Sequence, residues 1–111
     1  MTALPLRPIV LLLGLYAFGL APVATAQMLD SLVEIGSIDT PGLARGVSAV
    51  GTRAYVADLA SGLRVIDVSN PALPVELGFL DTPDNAIGVS VVGTLAYLAD
   101  GASGLRVIDV S

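Results

Sequence analysis

The 24 residues Gly46–Ser69, GVSAVGTRAYVADLASGLRVIDVS, return as Gly88–Ser111, GVSVVGTLAYLADGASGLRVIDVS, with 20 positions identical and an offset of 42 residues. The pairs that differ are 49/91, 53/95, 56/98 and 59/101. A duplication at that spacing restricts the chain to repeat architectures, and strand-like content at a period of about 40–45 residues points to the blades of a propeller.

Strand positions follow from short runs rich in Val, Ile and Tyr between Gly, Pro, Asn and Ser. They predict strands at Val47–Val50, Arg53–Asp58, Leu63–Val68 and Val75–Leu80, with Gly51-Thr52 as a tight turn. The stretch Ser69–Pro74 is a second turn, opened by Asn70-Pro71, because proline cannot donate to a sheet ladder. Asp81–Ile87 crosses to the next unit. Four short strands fill the repeat and leave no room for a helix.

The strands do not alternate cleanly. Leu63 and Val65 point to one side of their strand, Ile66 and Val68 to the other, so both sides of the sheet require burial. A single sheet would leave one apolar side in water, whereas stacked blades cover both. The expected fold is therefore all-β, with propeller-type repeats forming about two four-stranded antiparallel blades, a partial propeller.

A weaker likeness runs further back. Glu34–Arg45 matches Glu76–Ile87 at six of 12 positions, including Asp39-Thr40-Pro41 against Asp81-Thr82-Pro83. It predicts a lone outer strand at residues 33–38, ahead of a first blade at 46–80 and an incomplete second blade at 88–111. Val33–Ile38 is then expected to pair beside Leu105–Val110 and complete the second sheet. Propellers usually have about 4–8 blades, and stacked repeats want at least about three. The expectation is a fragment of a longer protein, with a ring assembled from copies as the other reading.

Met1–Ala26 reads as a secretory signal peptide: Arg7 in the n-region, the apolar run Ile9–Leu20, and Ala24-Thr25-Ala26 before a mature chain starting at Gln27. The apolar run is short against the roughly 20 residues of a spanning helix. Residues 27–111 then form the repeat segment, extracytoplasmic in location (periplasm, cell surface or medium), with no membrane span after cleavage. A chain of that length buries only about 60–65% of the surface that its unfolded form exposes.

Composition narrows the chemistry. The chain has no Cys, His, Lys or Trp. That removes thiolate and imidazole metal ligation, Ser-His-Asp and Cys-His nucleophiles, and Schiff-base chemistry. A net charge of −5 argues against nucleic acid as a partner. No catalytic residue, metal ligand or cofactor is expected.

Asp58 and Asp100 end matching strands, and carboxylates repeated round a ring suit Ca²⁺. A strand-end Asp bonding turn amides is the stronger reading, since the spacing of a calcium loop is absent. Arg64 and Arg106 precede Asp67 and Asp109 by three residues, which places each Asp on the opposite side of the strand from its Arg. They offer anion binding or, preferably, an ion pair across strands or blades. Tyr55 and Tyr97 could stack on sugars, but core packing between blades is preferred. Nothing marks two of the ten acidic residues as a glycosidase pair.

The words AYVAD (Ala54–Asp58), GLRVIDVSNP (Gly62–Pro71) and DTPG (Asp39–Gly42), with AYLAD at Ala96–Asp100 and GLRVIDVS at Gly104–Ser111, resemble the LVIVD-repeat family of bacterial and archaeal surface proteins. The resemblance implies a β-propeller architecture and an extracytoplasmic setting. It is compatible with a non-catalytic binding or scaffold module taking a protein or surface polymer. Further blades would come from the same chain or from copies of it. Binding would use the loops Asp39–Arg45, Leu59–Gly62, Asp81–Ile87 and Gly101–Gly104. The alternative is part of a propeller hydrolase or lyase whose catalytic residues lie elsewhere, and a third reading is a structural spacer.

Overall fold

The computed structural model describes residues 31–111. The signal-peptide expectation for residues 1–26 therefore lies outside the described residues. Residues 35–111 form one compact unit, and it is this unit that carries the repeats.

Seven strands run in chain order: β1 (Gly46–Val50), β2 (Arg53–Ala57), β3 (Leu63–Asp67), β4 (Val75–Leu80), β5 (Gly88–Val92), β6 (Leu95–Ala99) and β7 (Leu105–Asp109). A 3-10 turn at Gly101–Ser103 precedes β7. Sequence neighbours pair throughout, giving one sheet of order β1-β2-β3-β4 and a second of order β5-β6-β7. All pairings are antiparallel, and the two sheets share one register, with Tyr55 opposite Val65 and Tyr97 opposite Val107.

Local chemistry explains each reversal. Val50 pairs with Arg53, so Gly51-Thr52 is a two-residue hairpin loop, and Gly51 takes a φ of 59° that a side chain would oppose. The β3–β4 turn is held by Asn70, whose carbonyl accepts from the Leu73 amide at 2.9 Å and whose side-chain oxygen accepts from the Ala72 amide at 3.2 Å. A register shift between Val65 and Ile66 bulges β4 at Leu77.

Each sheet has two faces, named here by the residue each carries. The Tyr face of the first sheet (Tyr55, Ala57, Leu63, with Val65) packs on the Arg face of the second (Ala96, Leu98, with Val89, Val91 and Ile108). This contact is the core. Leu63 is 1% exposed, Ile66 on the other side of the same strand is 2% exposed, and Leu98 is fully buried. Apolar residues on both sides of β3 are thus covered, as the sequence pattern requires.

The expected strand at Val33–Ile38 does not form. Residues 33–38 carry no strand, and the second sheet stops at three. The reason lies in how the segment is tethered. Thr40 and Gly42 are fixed to Asp58 at the end of β2, and Gly36 lies so close to the carbonyl of Pro71 that no side chain would fit there. Residues 36–42 are therefore anchored on the first sheet, whereas β7 is the outer strand of the second.

Candidate functional site: the loop rim at the strand-end carboxylates

The Asp that closes β2 and its twin that closes β6 are both fully buried. Asp58 accepts from the Thr40 hydroxyl at 2.6 Å and from the Gly42 amide at 2.8 Å. Asp100 repeats the arrangement, accepting from the Thr82 hydroxyl at 2.6 Å and the Asp84 amide at 3.2 Å. In both repeats the donors come from the Asp-Thr-Pro loop that enters the sheet, 18 and 16 residues earlier in the chain. A buried carboxylate needs donors and a counter-charge. Arg64 Nε lies 3.9 Å from Asp58 and Arg106 Nε 3.5 Å from Asp100.

The sequence pattern favoured a structural strand-end Asp, and the hydrogen bonds agree, with one difference. The principal donors are the threonine and amide of the preceding inter-repeat loop, not the turn that follows the Asp. The paired recurrence of Asp-Thr-Pro and Ala-Asp was the available signal. Among the described residues no group of three or more acidic side chains is placed to hold a metal ion.

The arginines form ion pairs across strands, as expected. Arg64 reaches Glu76 on β4 at 3.1 Å, donates to the Ser61 carbonyl at 3.1 Å, and lies 4.4 Å from the centre of the Phe79 ring. Arg106 has Asp100 alone, and its buried Nε has no hydrogen-bond partner. Asp67 and Asp109, on the opposite face, each accept the amide two residues on, at Ser69 and Ser111. The hydroxyl and amide of Ser69 hold the Asp67 carboxyl below its ordinary value. For Asp109 the Ser111 amide, then its hydroxyl, does the same. Tyr55 is a core residue, whereas Tyr97 is 37% exposed on the second sheet's Tyr face.

The four loops singled out in the sequence meet at one end of the sheets. Asp39–Arg45 joins Leu59–Gly62 through Asp58. Leu59 bridges Ala86 by a reciprocal pair of backbone hydrogen bonds of 2.9 and 3.0 Å, which ties in Asp81–Ile87. Asp84 then accepts from the Ala102 amide at 2.7 Å, which ties in Gly101–Gly104. The result is a continuous rim. The clasp residues Thr40 and Asp58 recur as Thr82 and Asp100, while Leu43, Arg45, Asn85 and Ile87 are exposed and differ from their twins.

Elsewhere, a cleft of about 290 Å³ runs between β3–β4 and the end of β7, walled by Leu63, Val65, Phe79, Ile108 and Val110. Its walls are largely apolar, with Arg53 and Asp109 as the charged lining residues, and it contains no pair of acid and base groups arranged on a common point.

Repeated antiparallel sheets stacked face to face, each locked to its predecessor's loop by a buried carboxylate, define a repeat module of β-propeller type. The chain belongs to the LVIVD-repeat family: the family profile matches residues 41–82 and 83–111, together more than half of the chain. No curated protein and no solved structure matches it.

Proposed function

We propose that this chain is an exported, non-catalytic binding or scaffold module that engages a protein or surface polymer through its loop rim. One observation carries the reading. The repeated carboxylates are consumed in holding the fold, while the exposed rim residues Leu43, Arg45, Asn85 and Ile87 differ between repeats and make no fold-bearing side-chain hydrogen bond. Residues that differ between near-identical repeats, on loops held rigid from below, are where specificity resides. The charge of −5 directs the rim away from nucleic acid. Export rests on the signal-like sequence of residues 1–26.

The test is binding of the chain to washed envelopes of the cells that make it, compared with a Leu43→Asp, Ile87→Asp double variant. Both positions are exposed, so the fold stays intact and binding falls at least about tenfold if the rim is the contact. Equal binding by a folded variant overturns the reading. Mass spectrometry of the exported chain gives a start at Gln27; an intact Met1 sinks the export step.

A further inference from the structure

The two repeats bury opposite faces. The first sheet covers its Tyr face and leaves much of its Arg face open: Val47 is 66% exposed, beside an exposed Ala49 and half-buried Ala54 and Val56. The second sheet covers its Arg face and leaves its Tyr face open, with Leu105 65% and Val107 57% exposed beside Tyr97. The open face at one end of the stack is thus of the kind that the open face at the other end covers inside the molecule. Two faces that already fit each other within one chain are complementary between chains.

The glycines that begin β1 and β5 sharpen this. A Cβ on Gly46 would stand 3.0 Å from the Cα of Gly88 and 3.2 Å from the Ile87 carbonyl, so a side chain there presses the two sheets apart by a few tenths of an ångström. Gly88 has no such reason within one copy. A Cβ on it would meet only the Ala99 methyl at an ordinary 4.0 Å, and its φ is not in the left-handed region. Glycine in a strand often marks a place where another backbone approaches closely. In the same way Ser48 Oγ accepts from the Val91 amide across the sheet contact at 3.3 Å, while its twin Ser90 is exposed.

We infer that the open Tyr face of the second sheet docks a second copy of this chain, which lays the Arg face of its first sheet there and so repeats the contact already made inside each copy. Gly88 of one copy then meets Gly46 of the next. The second copy also brings Val33–Ile38, VEIGSI, which shares three of six residues with β4, VELGFL. In the register of β3 with β4, where Ile66 faces Glu76, that segment sets Glu34 opposite Ile108 along the free edge of β7. It supplies Arg106 with the carboxylate that the terminal Nη1 of Arg64 finds in Glu76, where the single copy gives Arg106 an ion pair with Asp100 alone. The contact is head-to-tail, and it closes into a ring where its rotation divides a full turn. This inference rests on the repeat fold alone and does not depend on what the loop rim binds.

Sedimentation velocity of the full chain at tens of micromolar gives one discrete oligomer. Gly88→Val reduces it to a single copy with an unchanged circular dichroism spectrum, because the added side chain has room in the isolated molecule. The sequence has no cysteine, so a Ser90→Cys chain mixed with an Ala49→Cys chain forms, on oxidation, a disulfide joining the two different chains. Arg106→Glu weakens assembly, and Glu34→Arg in the same chain restores it. A wild-type chain that sediments as one copy, a Gly88→Val oligomer of wild-type size, or a mixture without the mixed disulfide overturns the inference. Failure of the charge exchange to restore assembly removes the Val33–Ile38 part of it.

Discussion

The first repeat and the second share 20 of 24 residues from Gly46 and Gly88 onward, yet the same residue types live in different surroundings. Tyr55, Leu63 and Arg64 are buried; Tyr97, Leu105 and Arg106 are exposed or half-exposed. The difference is not in the strands, which pair in identical registers. It lies in what stands beside each sheet: the first has a fourth strand and a neighbouring sheet on its Tyr face, and the second has neither. Burial in a repeat protein is a property of position in the stack, so a twin's environment cannot be carried over with its sequence.

Five measurements break or sharpen this contrast, and the largest effect is expected at the carboxylate common to both repeats. Asp58→Ala strands the Thr40 hydroxyl, the Gly42 amide and the Arg64 charge, at a cost of about 3–5 kcal/mol by chemical denaturation. A loss below about 1 kcal/mol would show that the carboxylate is not a structural centre. Next come the paired glycines. Gly46→Val forces the two sheets apart and costs about 2–3 kcal/mol, whereas Gly88→Val leaves the stability of the single copy unchanged or raises it by about 0.5 kcal/mol, because glycine is costly in a strand. Equal losses at the two positions would erase the asymmetry.

The arginines rank third. Arg64→Ala removes a part-buried pair with Glu76, a hydrogen bond to the Ser61 carbonyl and the contact with Phe79, and costs about 1–3 kcal/mol. Arg106→Ala, whose side chain is 40% exposed, costs the single copy no more than about 1 kcal/mol. Fourth, Gly101 has a φ of 53° where its twin Leu59 has 47°. Gly101→Ala costs about 1 kcal/mol, since a side chain opposes that backbone; a neutral result would show the loop to be adaptable.

The smallest effect is on acid stability. The Asp67 and Asp109 carboxyls are held below their ordinary values in the folded chain by the Ser69 and Ser111 groups. The unfolded chain therefore binds these protons first as pH falls. The stabilisation is complete above the ordinary aspartate range and is lost as pH drops through the lowered folded values. Replacing both residues by Asn flattens the acid limb of a stability–pH curve; an unchanged limb refutes the assignment.

Much of the sheet was legible in the sequence because the evidence for it is local. Gly51-Thr52 and Asn70-Pro71 mark turns by their own backbone chemistry, and the runs between them have strand length. Val75–Leu80 forms as expected from its residues alone. Val33–Ile38 has the same kind of sequence and forms no strand, because a strand requires an edge and this segment's position is set by Thr40 and Gly42. The role of Asp58 was half legible. Its place at a strand end suggested a cap, but the partner lies 18 residues away in another loop. Arg64 and Arg106 look equivalent in the sequence, yet β4 gives Arg64 a second carboxylate in Glu76 and the Ser61 carbonyl accepts from its Nε, while Arg106 Nε has no hydrogen-bond partner. The four loops were expected together on one face of a ring, whereas the Leu59–Ala86 bridge that welds them had no sequence signal.

The threonine–aspartate clasp has a consequence for how such chains can grow. Both copies of it join residues 18 apart, so everything between them, which includes β1, β2 and the hairpin loop joining those strands, is held to a fixed length. The stretch from β3 onward lies outside that measure and is free to lengthen or shorten at its turn. A duplication that cut between the threonine and its aspartate would leave a buried charge with no donor. An insertion at the β3–β4 turn leaves the clasp untouched, whereas one between Thr40 and Asp58 pulls it apart.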